Sequence, residues 1–130
     1  TSIVYEGNNC GKFEILSGTI DVTIASNKLY NLPKQGINVF LELNYNINQT
    51  MEVGIMAQNG ATVNQSSVVG LQATTNSSGT TDWKKVYIDL TTAVSNQTYA
   101  SGYKIYFYAK QEDGVSNPLF LIDNVKLVSF

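Results

Sequence analysis

Histidine and arginine are both absent from this chain of 130 residues, and cysteine occurs once, at Cys10. Without histidine, neither a Ser-His-Asp nor a Cys-His catalytic arrangement can be built, and the usual Cys/His zinc sites are excluded. Two carboxylates among the ten acidic residues would still allow glycoside hydrolysis, but any domain of this size offers such pairs. We therefore expect a protein that is not an enzyme.

Charge is also sparse, because eight lysines stand against ten acidic residues and give a net charge of -2. Binding to duplex nucleic acid depends on Lys and Arg side chains that neutralise several phosphates, so nucleic acid is not an expected partner. No apolar run approaches the roughly twenty residues needed to cross a bilayer. The sequence predicts neither a nucleic-acid partner nor a membrane span.

Uncharged polar and aromatic residues are abundant in this chain. Asn, Ser and Thr supply 37 of the 130 residues, and eight Tyr and five Phe join them. Asn, Ser and Thr hydrogen-bond nearby backbone and compete with helix formation, whereas aromatic residues are enriched in strands. The composition favours strands and turns over helices.

The spacing of apolar residues follows the two-residue period of a strand along most of the chain. The clearest example is the segment from residue 103 to residue 110. One face of this segment carries Tyr103, Ile105, Phe107 and Ala109, and the other carries Lys104, Tyr106, Tyr108 and Lys110. We predict a half-buried strand with aromatic rings on its outer face.

Eight or nine short strands can be assigned, and nothing suggests alternating strands and helices. Residues 12–16 and 19–25 are predicted to form one hairpin, and residues 38–47 and 51–58 a second. Residues 3–5, 68–75, 83–90 and 119–128 are further strand candidates, and residues 91–101 have room for one helical turn. The pattern predicts an all-β protein: a single antiparallel β-sandwich domain over residues 1–130.

Three segments of the carboxyl-terminal half occur in a familiar order: DWKKVYIDL at residues 82–90, YKIYFYA at 103–109 and LIDNVKL at 121–127. This arrangement resembles the jelly-roll carbohydrate-binding modules, also called galactose-binding-like domains, of bacterial secreted and cell-surface proteins. The resemblance implies a jelly-roll sandwich, an extracellular or cell-surface location, and neighbouring domains in a larger protein.

Asp123 stands out in the last predicted strand, because an ion within an apolar segment is costly unless it is paired or coordinated. Many domains of the family that this chain resembles hold a structural calcium between the start of the domain and an acidic residue of the last strand. Asp123 matches that acidic position, and Glu6 could supply a second carboxylate. A calcium site at Glu6 and Asp123 is therefore an expectation, with turn capping or pairing to a lysine as the alternative for Asp123.

The outward aromatic, amide and carboxylate side chains fit a glycan as the partner. Flat rings cover the apolar face of a sugar, while amides and carboxylates bond its hydroxyls. Tyr106 and Tyr108 are predicted to form an aromatic strip, about 6.6 Å apart along one strand. Phe40, Glu42 and Asn44 would join them if their strands are neighbours. The alternative is a structural or adhesion module of a cell-surface lipoprotein, in which a neighbouring domain covers the outward aromatic residues.

Overall fold

The computed structural model describes residues 11–15, 19–26, 28–33 and 36–129. Strands dominate this part of the chain, and they form two antiparallel four-stranded sheets packed as a sandwich. The eight strands are β1 (Gly11–Glu14), β2 (Asp21–Ala25), β3 (Val39–Ile47), β4 (Met51–Asn59), β5 (Thr62–Leu71), β6 (Lys84–Asp89), β7 (Gly102–Lys110) and β8 (Leu119–Ser129). One short helix, α1 (Thr91–Ser95), connects β6 to β7.

The winding of the strands is that of a jelly roll. The first sheet has the order β1-β8-β3-β6 and the second β2-β7-β4-β5, so most consecutive strands lie in opposite sheets. The predicted all-β antiparallel sandwich is confirmed. The one helix among the described residues that has regular α geometry, α1, is five residues long and too short to span a membrane.

The core lies between the two sheets and follows the predicted alternation. On β3 and β4, one parity of each strand is almost fully buried while the other is turned outward. The inward residues of these strands and of β7 are Val39, Leu41, Leu43, Tyr45, Ile47, Met51, Val53, Ile55, Ala57, Tyr103, Ile105, Phe107 and Ala109. The helical turn predicted after the sixth strand is confirmed as α1, whose Val94 joins this core.

Both predicted hairpins are wrong, because each pair of strands is split between the two sheets. The connection between β3 and β4 crosses from sheet to sheet, and side chains hold it to the loop between β7 and β8. The side chain of Gln49 donates to the carbonyl of Lys110 at 2.8 Å and accepts the Glu112 N–H at 3.2 Å. Asn48 accepts the N–H of Leu119 at 2.9 Å.

The hairpin that does form joins β4 to β5 through Gly60, whose φ is 61°. A strand over residues 68–75 was predicted, but β5 runs from Thr62 to Leu71. Its uncharged, polar amino-terminal half has little apolar alternation, which is the signal that sequence reasoning depends on. The strand predicted at residues 3–5 lies outside the described residues.

Candidate functional site

A shallow concavity lies on the outer face of the first sheet, and the register of β3 with its two neighbours builds it. Phe40 pairs with Val128 of β8, and Glu42 pairs with Tyr87 of β6. These four side chains line a space of about 280 Å³, and we call them the Tyr87 shelf. The Tyr87 side chain is 61% exposed, so its ring is available to a partner.

Lys85 organises the polar side of the Tyr87 shelf. Its Nζ lies 2.6 Å from Glu42 Oε1 and 5.3 Å from the centroid of the Tyr87 ring. The Tyr87 hydroxyl donates to the same Glu42 oxygen at 3.4 Å. The shelf therefore presents a ring with an ammonium group over one face and a carboxylate bonded to its hydroxyl.

The charges of this pair reinforce each other. The hydrogen bond from Lys85 lowers the pKa of Glu42, and the carboxylate of Glu42 raises the pKa of Lys85. Both groups are charged at neutral pH. Because solvent reaches the Lys85 side chain, the pair adds little to folding stability. The Glu42–Lys85 pair instead orients the Glu42 carboxylate. The lone pairs that Lys85 does not use can accept hydrogen bonds from hydroxyl groups.

Asn44, the third residue predicted on β3, lies farther along the same outer face but is only 2% exposed. Its Oδ1 accepts a hydrogen bond from Asn124 Nδ2 at 3.2 Å. Its own Nδ2 is buried and has no hydrogen-bond partner among the described residues. The burial contradicts the prediction that Asn44 is an open contact for a sugar.

Tyr106 was predicted to present its ring to a ligand, and this is wrong because the side chain is fully buried. It does lie on the outer face of the second sheet, directly opposite Gly54 of β4. The ring occupies the space above this glycine, where a Cβ would come within 2.6 Å of Tyr106 Cε1. The Tyr106 hydroxyl donates to Glu52 Oε1 at 2.8 Å, and burial followed by this bond raises the pKa of Tyr106.

Tyr108 lies on the same outer face and is half-buried. Its hydroxyl donates to Asp21 Oδ2 at 3.2 Å, and its pKa is raised by desolvation first and by this bond second. The structure does not bring Tyr108 to the residues predicted on β3. Because β7 and β3 belong to different sheets, the five predicted ligand contacts divide between opposite outer faces of the sandwich.

Tyr87 is the residue that the predicted site lacked. Its place on the outer parity of its strand was visible in the sequence, but nothing there separated an exposed ring from one that is covered. The charged residues Lys85 and Asp89 flank it on the same parity, and both are exposed in the structure. The same parity of β7 carries Lys104 and Lys110 beside the buried Tyr106, so charged neighbours alone do not identify an exposed ring.

Of the two residues predicted to bind calcium, Glu6 lies outside the described residues. Asp123 is half-buried at the bulge where the pairing of β8 with β3 shifts, and its Oδ1 accepts the N–H of Asn124 at 2.8 Å. Asn124 has a φ of 52°, which is uncommon for a residue other than glycine. Across the described ranges no group of three or more acidic, His or Cys side chains is placed to hold a metal.

Comparison with known proteins gives no family for this chain. No protein-family model matches it, and neither does any curated protein. Among solved structures, a chain from the structure of infectious bursal disease virus Gx strain is similar over 93% of this chain and 29% of its own length. The sequence identity is 12% and the TM-score 0.49, which is too low to support an inference about function.

Proposed function

We propose that this domain is a non-catalytic carbohydrate-binding module and that it binds glycan on the Tyr87 shelf. The observation that carries the proposal is the 61% exposed ring of Tyr87, held beside the Glu42–Lys85 pair. An exposed aromatic face covers the apolar side of a pyranose, while carboxylate and ammonium groups bond its hydroxyls. Two of the predicted contacts, Phe40 and Glu42, line the same concavity.

The shape of the site supports binding without catalysis. The shelf is open to solvent along an outer sheet face, so it suits one side of a sugar chain and does not enclose it. Such surfaces bind weakly, and affinity then depends on several sites acting together. The proposed place of the domain in an exported bacterial protein is supported by the resemblance to carbohydrate-binding modules of secreted and cell-surface proteins.

We expect Tyr87→Ala to lower the affinity for glycan about tenfold, because loss of a stacking contact costs about 1.4 kcal/mol. Tyr87→Phe keeps the ring and should retain most of the binding. Tyr99→Ala is the matched control, since Tyr99 is another tyrosine that is about half exposed, at 51%, and belongs to the connection between α1 and β7. A glycan array followed by affinity electrophoresis measures glycan binding by the wild type and the three variants.

Equal binding by the wild type and Tyr87→Ala to a glycan would show that the sugar binds elsewhere. If no glycan is retained by any of the four proteins, the proposal fails and the structural or adhesion module gains support. The apolar side chains of Phe40 and Val128 on the shelf would then be a contact for a neighbouring protein domain.

Calcium at Asp123 is a separate prediction that the described residues leave open. If Glu6 and Asp123 hold the ion, a chelator should lower the melting temperature by about 8 °C, the equivalent of roughly 2.7 kcal/mol at saturating calcium. Asp123→Asn should melt at the chelated temperature and be insensitive to further chelator. A wild-type melting curve that does not move on chelation contradicts the prediction. The melting temperatures are measured by circular dichroism during heating.

A further inference from the structure

Lys126 extends the Tyr87 shelf across the outer face of the first sheet. Glu42 of β3 pairs with Tyr87 of β6 on one side and with Lys126 of β8 on the other. These residues therefore form one row across the sheet, with Glu42 in the middle. Val128, which lines the shelf, is two residues from Lys126 along β8 and shares its face. Lys126 is exposed to solvent, so its ammonium group borders the shelf.

The charge of this ammonium group is not neutralised by a neighbour. No ion pair holds Lys126 within the described part of the chain. The adjacent carboxylate, Glu42, is already paired, because Lys85 Nζ lies 2.6 Å from its Oε1. The pKa of Glu42 is lowered chiefly by the hydrogen bond from Lys85, and the nearby charge of Lys126 lowers it further. One carboxylate thus faces two ammonium groups, which leaves the charge of Lys126 uncompensated.

Two further carboxylates lie near the shelf, and neither pairs with Lys126. Asp89 of β6 pairs with Phe40, so its Cα is two strands and two residues away from that of Lys126, a distance of about 12 Å. Asp123 precedes Lys126 by three residues along β8, at about 10 Å. Both distances exceed the Debye length of about 8 Å at physiological salt. The β8 side of the shelf therefore keeps a positive charge.

We propose that the glycan bound on the Tyr87 shelf is acidic, with the carboxylate of a uronic acid residue bonded to Lys126. This inference rests on the function proposed above. The Cα positions of Tyr87 and Lys126 lie two strand spacings apart, about 9.6 Å. A stacked sugar ring, its exocyclic carboxylate and the lysine side chain together span this distance. An ammonium group bonds a carboxylate more strongly than a neutral hydroxyl, so Lys126 selects the charged form of a sugar.

Pairs of oligosaccharides that differ only at the exocyclic carboxylate test this selectivity. Oligogalacturonate is compared with its methyl ester, and cellouronate with cello-oligosaccharide. In the pair that fits the shelf, we expect the acid to bind about fivefold more tightly than the neutral member, the upper end for an exposed ion pair. The preference should vanish in about 1 M salt, where the Debye length is about 3 Å. Titrations followed by amide NMR spectra give the dissociation constants.

Substitutions of Lys126 assign the selectivity to its ammonium group. Lys126→Gln should bind the acid and the neutral member equally well, because Tyr87 and Glu42 remain. Lys126→Glu should prefer the neutral member, since it sets a carboxylate against the carboxylate of the sugar. Lys110→Gln is the matched control, because Lys110 is another exposed lysine and lies on β7 of the second sheet. It should keep the wild-type preference, and the amide spectra show that each variant is folded.

Failure of this proposal and failure of the proposed function give different results. If the acid and the neutral member bind the wild type equally and Tyr87→Ala weakens both, the shelf binds glycan without selecting an acid, and this proposal is overturned. An acid preference that Lys126→Gln retains also overturns it. If neither member of either pair binds, or if Tyr87→Ala leaves binding unchanged, the proposed function fails and this proposal fails with it.

Discussion

Replacing Gly54 with alanine is expected to lower the free energy of unfolding by about 3 kcal/mol or more, because the added methyl group has no space. A Cβ at this position would lie 2.2 Å from the backbone oxygen of Ser66 and 2.6 Å from Tyr106 Cε1. The tyrosine ring could turn away, but the Ser66 oxygen belongs to the neighbouring strand. The strands β4 and β5 would have to separate. Urea denaturation measures the loss.

Gly70→Ala is the matched control for this substitution. Gly70 lies in β5, opposite Glu52 of β4, and a Cβ there meets only Thr50 Cγ2 at the ordinary contact distance of 3.7 Å. We expect its effect to stay within about 1 kcal/mol, and alanine favours folding where the backbone accepts it. The double variant Gly54→Ala with Tyr106→Ala should remain unstable, because the clash with Ser66 persists. A Gly54→Ala protein as stable as Gly70→Ala contradicts the close approach of the Ser66 backbone to Gly54.

Tyr103→Ala is expected to cost about 4 kcal/mol, the usual loss for a large aromatic side chain in a core. Tyr103 is completely buried between the sheets. Its hydroxyl donates to the carbonyl of Gln97 at 2.7 Å, which ties the connection after α1 to the core. Tyr103→Phe removes only this hydrogen bond and should cost about 1 kcal/mol.

The exposed Tyr99 provides the comparison for Tyr103. Tyr99→Ala should change the free energy of unfolding by no more than about 0.5 kcal/mol, as is usual for surface substitutions. Equilibrium unfolding of the three variants in urea, at fixed pH and salt, separates the contributions of the ring and the hydroxyl. A cost for Tyr103→Ala no larger than that for Tyr99→Ala would contradict the position of Tyr103 in the core.

The faces of the strands were predictable from the sequence. The alternation of β3, β4 and β7 identifies their inward residues, because successive side chains of a strand point to opposite sides whatever the strand pairs with. The same alternation does not identify the neighbour of a strand. The two predicted hairpins were wrong for that reason. In the second, Asn48 and Gln49 bind Leu119 and Lys110, and the chain crosses to the other sheet.

The candidate site was predictable only in part, and two tyrosines show why. Tyr106 and Tyr87 both occupy outer positions of their strands, as their parity indicates. Tyr106 pairs with Gly54 across the sheet, and its ring fills the space that a side chain would occupy there. Tyr87 pairs with Glu42 and lies beside Lys85, exposed to solvent. The difference depends on the residue of the adjacent strand, which lies more than forty positions away in each case.

The sequence by itself determined that this chain is an antiparallel sandwich without histidine chemistry, and which side of most strands faces the core. These properties depend on composition and on a local period of two residues, so no knowledge of distant contacts is needed. Only the tertiary structure decided which strands are neighbours and which ring is exposed. Each of these depends on register between distant segments, and a pattern that repeats identically in every strand does not encode that register.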